Sequence, residues 1–461
     1  MEKTRLRLAT ILCVIVAYVF FVWNGYYPFT VSAPPHNHYS YLTQGFLSGH
    51  LNLSISPPAE LLNLSNPYDP KQNIHIRWGD PVVHDVSLYH EKYYLYFGPL
   101  PVVAFFIPFK LLTGFYPSES WAVFFFLSLG FIVGFSLLVK IKEKYFPAIS
   151  ELQLILAGLI LGFSNNAPFL LARPLFYETA IASAFCFMSF ALYFLYEIVN
   201  HQFNIKNIFL FSACLALTIA GRPHFILISF FLIPAVFIYL LKYAPKNQLI
   251  KLSIALLIPV ASVILALGCY NYFRFDSFLE FGQHYQLAGI NTTEAGLFYV
   301  KNIFHNVMRG LFYYFLQPYS LHGIFPTMSR VFQPPMISIP KGYLFEFTTG
   351  IFITAPFVIF VLALPKLIAF YFKKNNDNIR PLLWFLIFAC CIPIIIILFL
   401  VTLSGATQRY ETDFLPYLIF LSIITVWLLE GYDICPKRLK KLKLFFILTG
   451  VMSIGVGFLS G

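Results

Sequence analysis

The sequence predicts an all-α polytopic membrane protein: a single integral membrane domain, residues 1–461, of about eleven transmembrane helices with two long external loops that contain interfacial helices. Three observations carry that reading. Hydrophobic residues make up 59% of the chain and charged residues 11%, with a mean hydropathy of +0.73, far from a soluble domain. The apolar runs are continuous instead of periodic, and most approach the roughly 20 residues that about 30 Å of hydrocarbon requires. Lysines and arginines collect in every second connection.

The elements follow in order. Residues 8–25 form the first run, preceded by Lys3, Arg5 and Arg7, so the N-terminus is predicted to be cytoplasmic. Further runs lie at 119–140, 151–171, 175–198, 206–221, 224–241, 250–271, 347–370, 381–403, 412–431 and 444–460. The basic clusters at Lys140, Lys142 and Lys144, at Lys206, at Lys242, Lys246 and Lys251, at Lys373, Lys374 and Arg380, and from Lys437 to Lys443 all become cytoplasmic on one condition. Residues 96–113, YFGPLPVVAFFIPFKLLT, must not cross the membrane. Pro99, Pro101 and Pro108 interrupt that segment, which suits a helix lying in the interface. The alternative for the first run is a cleaved leader ending at Val31 to Ala33; the length of the run and the following Pro34 and Pro35 argue against it.

A net charge of +11 raises the question of nucleic acid, but most lysines flank spans, where they set topology and meet anionic headgroups. Membrane lipids are expected partners and nucleic acid is not. The seven cysteines, Cys13, Cys186, Cys214, Cys269, Cys390, Cys391 and Cys435, lie within or beside spans, so no disulfide framework is predicted. Metal-ligand spacing is absent, and no metal or cofactor is expected. Asn52, Asn63 and Asn291 match the glycosylation acceptor pattern, which is common by chance.

Polar residues concentrate in two external segments, 26–118 and 272–346, far longer than a connection needs. The first holds PHNHYSYL from Pro35, then WGDPVVHDVSLYHEKYYLYFGPLP from Trp78, with the interfacial helix at about 96–113. In the second, FYVKNIFHNVMRGLFYYFLQP reads as an amphipathic interfacial helix. Both mix aromatics with carboxylates, amides and histidines, which suits a site where a lipid-borne polar group meets water. At the same predicted side, ARPLFYE carries Arg173 and Glu178, AGRPH carries Arg222, and TQRYETDFLP carries Arg409, Glu411 and Asp413. An arginine at membrane depth is costly and tends to pair or to bind an anion, and its planar fork suits phosphate. Three converging arginines point to a phosphate entering from the outer leaflet.

A first helix, a long external loop with an interfacial helix ending in a proline-aromatic segment, a short second external loop with an acid, and many further helices together resemble the polyprenyl-phosphate-sugar-dependent glycosyltransferases of the GT-C fold. Protein O-mannosyltransferases and lipid A aminoarabinose transferases are examples. KYYLYFGPLPVV at Lys92 to Val103 is similar to the interfacial segment of that group, and RPLFYE, GRPHFIL, YNYFRFDSFLEFGQHYQLAG and RYETDFLPYL look like segments of bacterial GT-C-like membrane proteins. The resemblance implies a GT-C-like bundle at the bacterial inner membrane, with its active site facing outside. It implies transfer of a sugar from a polyprenyl-phosphate donor to an acceptor glycan, lipid or protein, by metal-independent general-base catalysis with inversion. The family places an acid shortly after the first span, and PHNHYSYL has none. The base is then expected at Asp85, with Asp80, His36 and His38 as alternatives. Glu178 would orient the acceptor or hold a histidine, Arg173, Arg222 and Arg409 would clamp the donor phosphate, and His36, His38, Tyr39, Asp80, Tyr93 and Tyr94 would form the substrate pocket.

Two other classes compete. A flippase or transporter for a lipid-linked saccharide would place charges near the midplane and show internal repeats, and neither is evident. A polysaccharide polymerase or ligase would use the same donors, but its single large late loop is matched only in part.

Overall fold

In hydrocarbon a backbone must satisfy its own N–H and C=O groups, so continuous apolar runs become helices. The computed structural model describes the chain except residues 1, 201–202, 290–291, 319, 323–328, 332–343, 347, 404 and 432–435, and Asn291 and Cys435 lie outside the described residues. In chain order its principal helices are α1 (Glu2–Trp23), α2 (His38–Leu47), α3 (Val102–Thr113), α4 (Glu119–Tyr145), α5 (Glu151–Phe163), α6 (Phe176–Val199), α7 (Ile205–Gly221), α8 (Pro223–Tyr243), α9 (Leu249–Phe275), α10 (Thr292–Phe315), α11 (Pro356–Lys373), α12 (Arg380–Thr402), α13 (Leu415–Glu430) and α14 (Pro436–Leu459). Among the described residues eight helices are long and apolar enough to cross a membrane, namely α1, α4, α6, α8, α9, α11, α12 and α14. The shorter apolar helices α5, α7 and α13 fill the remaining predicted positions. The protein is an integral, all-helical membrane protein.

Three boundaries shift, one of them the run expected at 347–370, which begins as the short helix Ile351–Thr354 and spans only from Pro356 to Lys373. The run expected at 151–171 breaks after Phe163 and resumes as a short helix, Ala167–Ala172, with Asn166 in the left-handed region at φ 65°. The segment expected to be helical from 96 is irregular up to Val102, because Pro99 and Pro101 withhold donors. The twelve residues of α3 reach about 18 Å at 1.5 Å per residue, short of about 30 Å of hydrocarbon.

Contacts at the two ends of α1 and α4 fix the path of the chain. At one end Arg7 bonds Glu143 at 2.6 Å and Glu151 at 3.0 Å, and Lys142 bonds Glu151 at 2.7 Å. At the other, the strand Val31–Ser32 pairs antiparallel with Tyr116–Pro117, and the Ser120 hydroxyl donates to the Tyr27 carbonyl at 2.6 Å. The helices are antiparallel neighbours, so residues 24–118 leave and return at the same end of the bundle. From α4 onward each turn of the bundle then brings the lysine clusters to one end. The polar segments gather at the other.

The first loop is pinned by close backbone contact. A Cβ on Gly98 would lie 1.8 Å from the carbonyl oxygen of Ala220, so the FGPLP segment rests directly on the end of α7, next to Arg222. The two loops are joined where the Asp85 N–H donates to Leu287 O at 3.0 Å and the Leu287 N–H to Val86 O at 2.8 Å. In the second loop, Leu344–Glu346 pairs in parallel with Gly405–Thr407, which carries Glu346 to the polar end of α13.

Candidate active site

A cavity of about 1340 Å³ opens at the polar end, walled by both loops and by the ends of α4, α6, α8 and α12. Asp80, Asp85, His36, His38, Arg173, Arg222 and Arg409 all line it. Four sequence-selected residues do not. Glu178 is fully buried beneath the wall: its Oε2 accepts the Leu175 N–H at 3.2 Å, so it caps the first turn of α6. Tyr39 stacks on Phe106 in the core with centroids 5.3 Å apart, and Tyr93 and Tyr94 are buried in a hairpin with Ser87–Tyr89. The correction has a simple cause: the short elements that carry these rings are packed over, the hairpin on both faces, and burial of aromatic surface outweighs exposure of one hydroxyl.

Asp85 stands at φ 61°, the left-handed region that aspartate enters more readily than most residues, and this turns its carboxylate into the cavity. The Tyr177 hydroxyl donates to Oδ2, and His84 Nε2 lies 3.6 Å from the same atom. Arg77 Nη1 donates to His84 Nδ1 at 2.9 Å, and because a guanidinium only donates, the ring proton must sit on Nε2, facing Asp85. Burial pulls the His84 pKa down and Asp85 opposes the shift. His38, stacked on Phe176 at 4.2 Å, is pushed down to about 4 by burial and is neutral near pH 7.

The three arginines divide into two poles. Arg409 Nη1 lies 3.0 Å from Glu346 Oε1 and 2.8 Å from Oε2, while Arg173 Nη1 lies 3.0 Å from Oε1. Two guanidiniums share one carboxylate, and the buried Glu178 lies close enough to act electrostatically on both. Burial pushes the Glu346 pKa up, but Arg409 and Arg173 outweigh it and hold the group below its ordinary value. Arg222 instead pairs with Asp413, which His224 also approaches at 3.4 Å, and that pole is balanced. Each arginine therefore has a carboxylate partner, although Nε of both Arg222 and Arg409 is unpartnered.

Two tyrosines connect these groups. The Tyr177 ring carries the Arg409 guanidinium 4.2 Å from its centroid while its hydroxyl holds Asp85, so one side chain separates the acid from the charged pole. Tyr410 lies between the poles, 5.1 Å from Arg222 and 5.8 Å from Arg409.

Sequence reasoning missed Glu119, Glu346, Tyr177, His224 and Tyr410, all of which line the cavity. Glu119 opens α4, but the pairing of Val31–Ser32 with Tyr116–Pro117 sets it beside PHNHY, where the backbone N–H groups of Tyr39 and of Glu119 itself face its carboxylate. It supplies a carboxylate next to the segment that has none of its own. Among the described residues no group of three or more His, Cys, Asp and Glu side chains is placed to hold a metal ion.

No family model matches the chain, and no curated protein matches it. Among solved structures, the apo form of the oligosaccharyltransferase of Archaeoglobus fulgidus aligns over 98% of this chain and 56% of its own length, with a TM-score of 0.50 and 12% identity. The fold is GT-C. ArnT from Cupriavidus metallidurans bound to undecaprenyl phosphate also aligns, over 96% of this chain and 62% of its own length, at a TM-score of 0.46 and 12% identity. The chain thus spans less than two thirds of either structure, and the likeness to the oligosaccharyltransferase establishes the fold alone.

Proposed function

We propose that this GT-C protein is a membrane glycosyltransferase that moves a sugar from a polyprenyl-phosphate donor to an acceptor on the outer face of the membrane. One observation carries the reading: a single cavity holds a carboxylate hydrogen-bonded by a tyrosine whose ring carries one of two arginines that share Glu346. The wall then passes from the arginines to apolar Phe399 and Leu400 on α12 and Leu403 just beyond it, a gradient that suits a lipid bearing a phosphate.

The acceptor oxygen attacks the anomeric carbon, its proton passes to Asp85, and the bond from that carbon to the phosphate oxygen breaks with the electron pair leaving on the phosphate. Attack opposite the leaving group inverts the anomeric centre. Tyr177 occupies Oδ2 of Asp85, which leaves Oδ1 for the acceptor. Arg173 and Arg409 stabilise the departing polyprenyl phosphate, and the aromatic faces of the cavity, Trp78 among them, bound the sugar. The side opposite the lysine clusters is taken as the outer face.

The test is turnover of polyprenyl-phosphate sugars by purified protein in lipid nanodiscs, read as release of free polyprenyl phosphate. Release that requires Asp85 supports the reading. Binding without release across a panel of sugars points to movement of a lipid-linked saccharide instead.

A further inference from the structure

The arginine pair that the proposed function assigns to the donor phosphate already holds an anion. Glu346 places both carboxylate oxygens on Arg409, at 3.0 and 2.8 Å, and one on Arg173, at 3.0 Å. A carboxylate held between one Nη1 of each of two arginines stands, at smaller size and charge, where a phosphate oxygen pair would be received. The remaining support for Glu346 is slight: Thr407 Oγ1 donates to Oε2 at 3.1 Å, and the strand around it is three residues paired with three. Glu346 is itself partly exposed and lines the cavity. The balanced pole offers no equivalent, because Asp413 is 1% exposed and sealed in the wall.

Resting on that functional reading, we propose that Glu346 is a resident occupant of the donor-phosphate site, displaced when a phosphate ester binds between Arg173 and Arg409. The arrangement does two things. It keeps two guanidiniums compensated while the site holds no donor, at a depth where bare charge is costly. It also couples donor binding to release of the strand Leu344–Glu346 from Gly405–Thr407, so the end of the second loop responds to the donor. Apparent phosphate affinity is then set by competition, reduced by the fraction of molecules in which Glu346 occupies the site.

The experiment compares wild type with Glu346→Gln and Glu346→Ala in nanodiscs, titrated with undecaprenyl phosphate and separately with inorganic phosphate, with thermal unfolding as the check on folding. Removing the competing charge is expected to tighten binding of undecaprenyl phosphate about tenfold or more in both variants. Hydrogen exchange gives a readout independent of either substitution: saturating wild type with undecaprenyl phosphate should accelerate exchange of the amides in 344–346. Folded variants that bind both phosphates no more tightly than wild type overturn the inference, as does unchanged exchange in saturated wild type. Tighter inorganic phosphate with no binding of the lipid by any form keeps the resident-anion site and removes the polyprenyl donor.

Discussion

The two arginine poles of the cavity lie within reach of the same tyrosine, Tyr410, yet differ in how their arginines are paired and in exposure. Arg222 meets Asp413 and His224 in a sealed group, with 6% and 1% of the two charged side chains exposed. Arg173 and Arg409 share one partly exposed carboxylate. An arginine in a cavity is thus no anion site by itself. What matters is how its partner is held, and whether that partner has somewhere to go.

The largest expected effects concern the Glu346 pole and the acid beside it. Asp85→Asn keeps the shape but cannot accept a proton, and should lower turnover about 10²- to 10⁴-fold while donor binding is nearly unchanged. If the amide variant turns over normally, Glu119 inherits the role and Glu119→Gln should show the loss. Arg409→Ala should cost about 3 kcal/mol of transition-state stabilisation, read as kcat on a polyprenyl-phosphate sugar.

At the balanced pole the penalty should fall on stability. Arg222→Met leaves Asp413 buried with only His224 beside it, an expected loss of about 3 kcal/mol by thermal unfolding, and the double variant Arg222→Met, Asp413→Leu should recover most of it. Equal losses in single and double variants would erase the distinction between the poles.

A smaller effect is set by His38. Its pKa in the fold, about 4, lies below the unfolded value, so the neutral form is favoured. The contribution is fully present above about pH 6.5 and is lost as pH falls toward 4, by an amount on the order of 3 kcal/mol. His38→Gln should flatten the melting temperature between pH 7 and pH 5 relative to wild type. The smallest effect belongs to Glu178→Ala, which removes a helix cap and should cost about 1 kcal/mol of stability with kcat unchanged.

These differences also mark what a single sequence reveals. The bundle was legible, because length of apolar run and side of the lysines are local properties, and Pro99, Pro101 and Pro108 flagged the segment whose helix is too short to span. That Asp85 and the three arginines share one end followed from the same alternation. The pairing was not legible: Glu346 reaches Arg173 across 173 residues through a three-residue strand with no pattern of its own. Glu119 was hidden likewise, since two-residue strands bring it beside PHNHY. The role of Glu178 was only half legible, for an acid three residues after the helix start fits a capping box but Leu175 lacks the side-chain oxygen that completes the signature. Tyr39, Tyr93 and Tyr94 failed for the opposite reason, because an aromatic-rich segment does not say which rings face inward.

The central claim is that the pole where Arg173 and Arg409 share the partly exposed Glu346, and not the one built around the buried Asp413, receives a lipid phosphate. An experimental structure of the protein in nanodiscs with undecaprenyl phosphate tests it most directly. The account predicts the phosphate within about 3 Å of the Arg173 and Arg409 guanidinium nitrogens, with Glu346 withdrawn and the Arg222 pair with Asp413 intact. A phosphate seated on Arg222 with Asp413 displaced, or a lipid bound elsewhere with Glu346 still between its two arginines, would contradict it.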